Sequence, residues 1–332
     1  MNKSFVLTTM ITILLICSTS LIPNISAMVS KNNINKNNLQ YSNSDTKYWA
    51  ILIGFEKYED NSLMAAAYNP AYYIYDALCN SSAWEKENIF LLNDEKGTKQ
   101  NILNSLEDMS KKIGPNDVFF FYFVSHGSQI EDKNGDEDDG KDEIIAPYDI
   151  KKEGGILNGL IGGELVNYIT DDMIDEKLDN IHCKGICLIF DSCYCGGFVG
   201  GKNDVDTGPN RIVITASNIE EGSTLAGNNG DCFATRLTLA FYDNLTDKDD
   251  NGISVEELYD KGEELWFKSI NPWISLSFYL MYIKALFKTP FSLLFVYMIA
   301  GGRLPKPWPF PAIYDGYKEG NEKEELIIIP KS

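Results

Sequence analysis

From Lys47 onward, short apolar runs alternate with longer stretches in which polar and apolar residues mix. Each run is short and is bounded by polar residues or glycine, which is typical of a strand buried on both faces of a parallel sheet. We therefore predict a strand for each of them. The runs lie at residues 48–54, 89–92, 118–124, 185–190 and 211–215.

The stretches between the predicted strands carry helix signals. Pro70 can occupy the first turn of a helix that continues to about Asn80. Thr98 is a good N-cap for a helix through about Lys112, whose apolar residues share one face. A further helix begins at Thr170. This alternation of strands and helices predicts an α/β fold, with a mostly parallel sheet covered by helices on both faces.

Composition narrows the class of protein. Of the 332 residues, 44% are hydrophobic and 12% aromatic, which supplies enough material for a packed core and excludes a disordered acidic chain. The 29 Lys and Arg against 48 Asp and Glu give a net charge of -19. This balance argues against a nucleic-acid partner, because such proteins cluster Lys and Arg against phosphates.

The N-terminus has the pattern of a signal peptide covering residues 1–27. Lys3 supplies the positive start, residues 5–17 are almost wholly apolar, and residues 25–27 offer a small-residue cleavage site. The apolar run is shorter than the ~20 residues needed to span a bilayer. We therefore predict a secreted or cell-surface protein, with lipidation at Cys17 as an alternative. Residues 28–46 are polar and predict a flexible lead-in or pro-segment.

Two predicted strands end in reactive groups. The run 118–124 leads into His126, and the run 185–190 leads into Cys193. In an open parallel sheet the carboxyl ends of the strands are where function gathers. A thiol needs a base to be nucleophilic, and imidazole is the usual supplier. The alternative is that His126 is structural and Cys193 is a small buried apolar residue.

Four segments together resemble the motifs of the metacaspases, the caspase-like cysteine peptidases. They are SHGSQ at 125–129, DEDDGKDE at 136–143, IAPYD at 145–149 and DSCYCGG at 191–197. The resemblance covers roughly residues 47–242. Legumain-like peptidases share the His-Gly and Cys-x-x-Gly pattern but lack the acidic insertion, so they rank second. A non-catalytic calcium-binding module on the same fold is the alternative of a different class.

The resemblance implies a caspase-like three-layer sandwich and an enzyme that acts on peptides or proteins, a cysteine endopeptidase. It implies that His126 is the base and Cys193 the nucleophile, with the N–H groups of Gly127 and Cys193 as the oxyanion hole. Tyr194 and Cys195 stand where the family usually has His-Ser, at positions that do not carry the chemistry.

The resemblance also implies a preference for cleavage after Arg or Lys. In the family, carboxylates bind the basic side chain, and one of them corresponds to Asp191. A second belongs to an Asn-Asp-Ala step that opens the first helix. Here the step is Asn69-Pro70-Ala71, so this second carboxylate is missing. We therefore expect looser discrimination, with Lys accepted as well as Arg.

Calcium is the only cofactor that the sequence indicates, and no organic cofactor is expected. The resemblance makes Asp171 and Asp172 the best ligand candidates, with Asp142 as a further one. Helix capping is the alternative for Asp171 and Asp172, because acids at a helix start are favourable without a metal. Residues 131–143 hold eight acids, which a solvated loop explains equally well.

Two further patterns have simpler explanations than a metal. Residues 247–254 look like a calcium loop, but Ser254 and Glu257 have the spacing of a capping box that opens a helix. His182 and the cysteines at 183, 187, 193 and 195 could suggest zinc. Cys183 and Cys187 lie along a predicted buried strand, however, so convergence on one tetrahedral point is not expected. Disulfides remain open.

The C-terminal part departs most from the family. We take 47–262 as the catalytic domain and 263–303 as an apolar helical segment. Within it, residues 273–300 are interrupted by Lys284, Lys288 and Pro290, so no stretch is long enough to span a bilayer. Contact with a membrane or a hydrophobic partner through 273–300 and a buried helix pair are both open. Residues 304–332 form a Pro-rich, charged tail with a last short strand at 326–329.

Overall fold

The computed structural model describes residues 46–60, 63, 69–137, 140–154, 164–217, 233–243, 246–269, 311–317 and 325–330. The predicted signal peptide and the predicted apolar segment 273–300 lie outside these residues, so export, lipidation and membrane contact stay predictions. Within the described part of the chain, no helix is both long and apolar enough to cross a membrane.

The strands of the described residues form one central sheet and three small ones. In chain order they are β1 Tyr48–Gly54, β2 Ile89–Asn93, β3 Val118–Val124, β4 Gly127–Glu131, β5 Lys141–Ile145, β6 Lys151–Glu153, β7 Glu164–Val166, β8 Ile169–Thr170, β9 Gly185–Asp191, β10 Arg211–Thr215, β11 Gly252–Ser254, β12 Ala312–Asp315 and β13 Ile327–Pro330. The central sheet has the order β12-β10-β9-β3-β1-β2 and is parallel except for β12. The five strands predicted from apolar runs are confirmed, and β2 and β9 each extend one residue further.

The helices cover both faces of this sheet. They are α1 Pro70–Asn80, α2 Lys99–Lys112, α3 Asp171–Leu178, α4 Phe233–Phe241 and α5 Val255–Ser269. One layer holds α1, α4 and α5, in which α4 packs against both α1 and α5, and α2 and α3 pack together in the other layer. The central strands β3 and β9 are buried along almost their whole length, as expected for strands covered on both sides. The predicted α/β sandwich is confirmed.

The helix starts follow the predicted caps. The Thr98 hydroxyl accepts a hydrogen bond from the Asn101 N–H at 3.3 Å, and the Thr170 hydroxyl accepts one from the Met173 N–H at 3.2 Å. At the start of α5 the capping box is complete, and its two reciprocal bonds join Ser254 to Glu257 at 3.1 and 3.2 Å. These caps satisfy N–H groups that have no partner inside a helix.

Two strands from the predicted tail belong to the same sheets as the predicted catalytic domain. β12 runs antiparallel to β10 at the edge of the central sheet, and β13 pairs with β11. The indole Nε1 of Trp84 donates to the Ile328 carbonyl at 2.8 Å, which ties β13 to the body of the protein. The described parts of the tail, residues 311–317 and 325–330, are therefore integral to the fold.

Candidate active site

The two reactive groups lie beyond the ends of neighbouring strands. β3 and β9 are adjacent and parallel, and their register sets Val124 beside Asp191. The Ser125 N–H donates to the Asp191 carbonyl at 3.2 Å, which extends the pairing past the strand ends. His126 and Cys193 each lie two residues beyond the last paired residue. The fold therefore brings both to the carboxyl edge of the sheet.

Gly127 shows how closely the two loops approach. A Cβ at this position would lie 2.3 Å from the Cys193 carbonyl oxygen and 2.8 Å from the Ser192 hydroxyl oxygen. Any larger residue would push the loops apart, so glycine is required here for close approach of backbone to backbone. His126 is exposed and Cys193 is half-exposed, so both can be reached from solvent.

Tyr58, a residue outside the sequence motifs, supports His126. Its hydroxyl accepts a hydrogen bond from the His126 backbone N–H at 3.3 Å and also bonds to the Ser125 hydroxyl. Its ring stacks on the imidazole, with centroids 5.6 Å apart. Tyr58 is 2% exposed, and this burial raises its pKa to about 12, so the hydroxyl stays protonated. No local pattern could reveal a contact between residues 68 positions apart.

The chain turns sharply after Cys193. Tyr194 has a φ of 62°, in the left-handed region that non-glycine residues rarely adopt, and a 3-10 helix, Cys195–Phe198, follows. Cys195 is fully buried, with its Sγ 3.5 Å from the Ser217 hydroxyl oxygen. Burial raises the pKa of the Cys195 thiol, which favours the neutral form. Of these two thiols, Cys193 is therefore the accessible one.

Asp191 lies against the helix layer that contains α1, α4 and α5. It is 3% exposed, and its Oδ2 accepts a hydrogen bond from the Ala234 N–H at 2.5 Å, in the first turn of α4. Pro70 occupies the start of α1, where the Asn69 side chain accepts from the Ala71 N–H at 3.0 Å. Of the two carboxylates that the family resemblance implies, only that of Asp191 is therefore present.

The remaining cysteines give no metal centre or disulfide in the described part of the chain. Its five cysteines, at positions 79, 183, 187, 193 and 195, are free thiols. None of them belongs to a group of metal-ligating side chains among the described residues. Cys232 lies outside these residues.

A first carboxylate cluster contains one of the predicted calcium ligands. Asp132, Asp136 and Asp142 have carboxylate oxygens within 4.8 Å of one another. The Asn134 amide donates to Asp136 at 3.0 Å and to Asp172 at 2.8 Å, so Asp172 is joined to this cluster. Burial, followed by the neighbouring carboxylates, raises the pKa of Asp142 to about 6. The sequence signal that could have indicated this cluster is the DxNxD spacing at 132–136.

A second cluster contains Asp171. Its carboxylate oxygens lie within 4.8 Å of those of Glu137 and Asp204. Asp171 is 2% exposed, and its Oδ2 is buried without a hydrogen-bond partner. Burial is the main cause that raises the pKa of Asp171 to about 9 and that of Glu137 to about 8. Glu137 and Asp204 were not singled out from the sequence, and Asp204 sits in a Gly-rich loop that gives no local signal.

Both clusters adjoin the loop that carries Cys193. A Cβ at Gly197 would lie 2.2 Å from the carboxyl carbon of Glu143, the strand neighbour of Asp142. The Val205 N–H, next to Asp204, donates to the Phe198 carbonyl at 3.2 Å. Gly197 and Phe198 belong to the 3-10 helix that follows the thiol. Residues adjacent to each cluster are therefore in direct contact with the loop that carries Cys193.

A third group of acids has hydrogen bonds of its own. Asp247, Asp249 and Glu257 approach within 4.8 Å of one another. The Glu257 carboxylate accepts from the backbone N–H groups of Lys248 and Ser254, and Asp249 accepts from Asn251. Capping of α5 accounts for this arrangement.

The central part of this chain is similar in sequence to known proteins. A family model described as "Metacaspase, peptidase C14 domain" matches residues 49–200. Metacaspase-1 of Botryotinia fuckeliana is 32% identical over 165 residues, covering 47% of this chain and 36% of that protein. Metacaspase-1A of Neurospora crassa is 31% identical, covering 47% and 34%. The chain therefore spans about a third of the length of the curated relatives it matches.

Among solved structures, the Drosophila initiator caspase Dronc aligns with a TM-score of 0.44 and 11% identity, over 85% of this chain and 83% of the caspase. The family match includes the strand that leads to His126, the acidic loop and the motif around Cys193. Over residues 49–200 this chain is therefore similar to the metacaspase, peptidase C14 domain.

Proposed function

We propose that this protein is a cysteine endopeptidase in which His126 and Cys193 form a catalytic dyad. The observation that carries the proposal is the register of β3 and β9, with Gly127 packed against the Cys193 carbonyl. This register is the reason to expect the His126 imidazole and the accessible Cys193 thiol on loops that contact each other. It also favours a role for the Gly127 and Cys193 N–H groups as the oxyanion hole.

The reaction follows from the two groups. His126 takes the proton from the Cys193 thiol, and the thiolate attacks the carbonyl carbon of the scissile peptide bond. The carbon–nitrogen bond then breaks, and the leaving amine receives the proton from His126. Water hydrolyses the resulting thioester, with His126 again as the base, which releases the new carboxylate and restores the thiol.

Calcium is the cofactor we propose. The two carboxylate clusters offer only oxygen ligands, which suit Ca²⁺, and the Asp171 Oδ2 is a buried oxygen without a partner. Asp142 and Asp172 would hold an ion at the first cluster, and Asp171 and Asp204 would hold one at the second. When bound, calcium neutralises like charges and orders the loop after Cys193. No proton or bond of the substrate passes through it.

Tyr58 acts as a positioning residue in this mechanism. Tyr58→Phe keeps the stacked ring but removes the hydroxyl that accepts a hydrogen bond from the His126 backbone N–H. The backbone that carries the imidazole is then held less firmly, so the imidazole loses part of its alignment. One such hydrogen bond is worth about 1 kcal/mol, so we expect kcat to fall roughly five- to tenfold while KM changes by less than about twofold. Steady-state kinetics on one fluorogenic peptide measures both.

Tyr72→Phe is the matched control for Tyr58→Phe. Tyr72 is exposed on α1, and its hydroxyl accepts a hydrogen bond from the Asn93 side chain rather than from His126. The kcat of Tyr72→Phe should equal that of the wild type. Normal kcat for Tyr58→Phe, or an equal loss in both variants, would remove Tyr58 from the mechanism.

For specificity, we propose a basic residue before the cut, bound by Asp191. With Pro70 in place of the second acid, the side chain meets one carboxylate, so the forked pairing that favours Arg over Lys is lost. On a panel of peptides that differ only in the residue before the cut, we expect the kcat/KM values for Arg and Lys to agree within about threefold. Both should exceed the values for Asp, Asn and Leu by at least about tenfold.

Pro70→Asp tests this explanation directly. An acid is favourable in the first turn of a helix, so α1 should tolerate the change. Pro70→Asp should raise the ratio of kcat/KM for Arg to kcat/KM for Lys by a further factor of about ten, whereas Pro70→Ala should leave this ratio unaltered. A wild-type preference for Asp, Asn or an apolar residue at this position would exclude Asp191 as the specificity residue.

A further inference from the structure

A groove lies next to the loops that carry His126 and Cys193. It is a cavity of about 440 Å³, and the described residues that line it include Ser128, Gln129, Glu131, Lys141 and Tyr194. Ser128 follows Gly127 in the chain, and Tyr194 follows Cys193. The groove therefore starts beside both proposed oxyanion donors and runs outward along β4.

The groove and Asp191 lie toward opposite layers of the molecule. The Asp191 carboxylate bonds to α4, in the layer of α1 and α5. β4 belongs to the small sheet β4-β5-β8, whose strands β5 and β8 pack on α3 in the other layer. Cys193 lies between the two. If the residue before the cut extends toward Asp191, the residues after the cut extend along β4.

The position of His126 also indicates that the residues after the cut extend along β4. His126 protonates the leaving amine, so the chain that begins with this amine starts next to the imidazole. His126 directly precedes β4, whose first residue is Gly127. We infer that the groove along β4 binds the part of the peptide substrate that lies after the scissile bond. This inference rests on the proposed peptidase function.

The backbone of β4 suits an extended peptide. In its three-stranded sheet β4 is at the edge, paired with β5 on one side in the described residues. An extended chain can add to such an edge through main-chain hydrogen bonds. At about 3.3 Å per residue, the five residues of β4 can accompany roughly four substrate residues.

Most side chains of the groove are polar, with Ile130 as an apolar exception, and Gln129 among them is held by hydrogen bonds. The Gln129 amide donates to Glu143 at 2.6 Å and accepts from Lys141 at 3.2 Å. Glu143 is buried, so it holds Gln129 in place. Tyr194 is half-exposed at the inner end. The groove therefore fits an extended polar segment that meets an aromatic ring at its first residue.

Two substrates with the same sequence up to the cut test this inference. One ends in an aminomethylcoumarin group after Arg, and the other continues for four Ser and Gly residues and carries a quenched fluorophore pair. We expect the wild type to cleave the extended substrate with a kcat/KM at least about tenfold higher, because only this substrate occupies the groove.

Tyr194→Asn is the variant of choice. Asn tolerates a left-handed backbone, so the turn at φ 62° is kept while the ring is lost. The ratio of the two kcat/KM values should fall at least about fivefold. Lys111→Ala is the control for the assay, because Lys111 is exposed on α2 and forms ion pairs with Glu107 and Asp108 of the same helix. Its ratio should match the wild type.

The outcomes separate the two claims. Equal cleavage of both substrates by the wild type, or an unchanged ratio in Tyr194→Asn, would overturn the groove inference and leave the peptidase function standing. Cleavage of neither substrate in the presence of calcium would overturn the peptidase function and the groove with it.

Discussion

Replacing Cys193 by Ala should lower peptide hydrolysis by at least about four orders of magnitude, because the attacking atom is removed and no other group can form the thioester. Cys193 is half-exposed and lies at a loop rather than in the core, so the substitution leaves no large cavity. The thermal unfolding midpoint should therefore stay within a few degrees of the wild-type value. Turnover of a fluorogenic peptide and a melting curve on the same sample measure both quantities.

Cys195→Ser is the matched control, since Cys195 lies only two residues away. The Cys195 thiol is fully buried beside Ser217, and its raised pKa keeps it neutral. Serine is also the residue that the family motif has at this position. We expect turnover within about threefold of the wild type. The opposite result, in which Cys195→Ser is inactive and Cys193→Ala is active, would mean that the nucleophile is misassigned.

The second large effect concerns calcium. Asp171→Asn combined with Asp172→Asn should raise the calcium concentration for half-maximal activity by at least about 100-fold. Loss of a group that merely supports a ligand already costs 10–100-fold in metal affinity, and here two proposed ligands lose their charge. A calcium titration of activity, started from chelated protein, measures the shift. Full wild-type activity in excess chelator would exclude a calcium requirement.

Two controls separate metal binding from damage to the fold. Asp249→Asn alters the third acid group, which has its own hydrogen bonds, and should not shift the calcium titration. Asp171→Asn should not destabilise the calcium-free protein. The folded pKa of Asp171, about 9, lies above its ordinary value of 3.8, so this acid costs stability as pH rises through that interval. A lower melting temperature of Asp171→Asn in chelator at pH 8 would contradict this account.

Much of the fold could be predicted because its central strands are local features. The runs that became β1, β3 and β9 are continuous and apolar, and the caps at Thr98, Thr170 and Ser254 are short-range patterns. The strands at the sheet margins are different. β12 joins β10 across about a hundred residues, and a pairing of this kind leaves no local trace.

The β4–β5 hairpin was missed for another reason. The residues of β4 are only half-buried and form no continuous apolar run, and the loop between the strands is so acidic that the pattern indicates a solvated segment. In the structure the same acids gather into two clusters because β5, α3 and the loop of Asp204 converge there. Tyr58 and Asp204 owe their places in the site to this tertiary convergence, which the sequence pattern does not encode.

The central claim is that Cys193 is a nucleophile activated by His126. Labelling with a peptidyl-arginine chloromethyl ketone in the presence of calcium, followed by digestion and mass spectrometry, tests it most directly. The account predicts one label per chain, on Cys193, formed at a rate that falls at least about 100-fold in His126→Ala. Labelling that is equally fast at Cys79 or Cys183, or a Cys193 rate that is unchanged in His126→Ala, would contradict it.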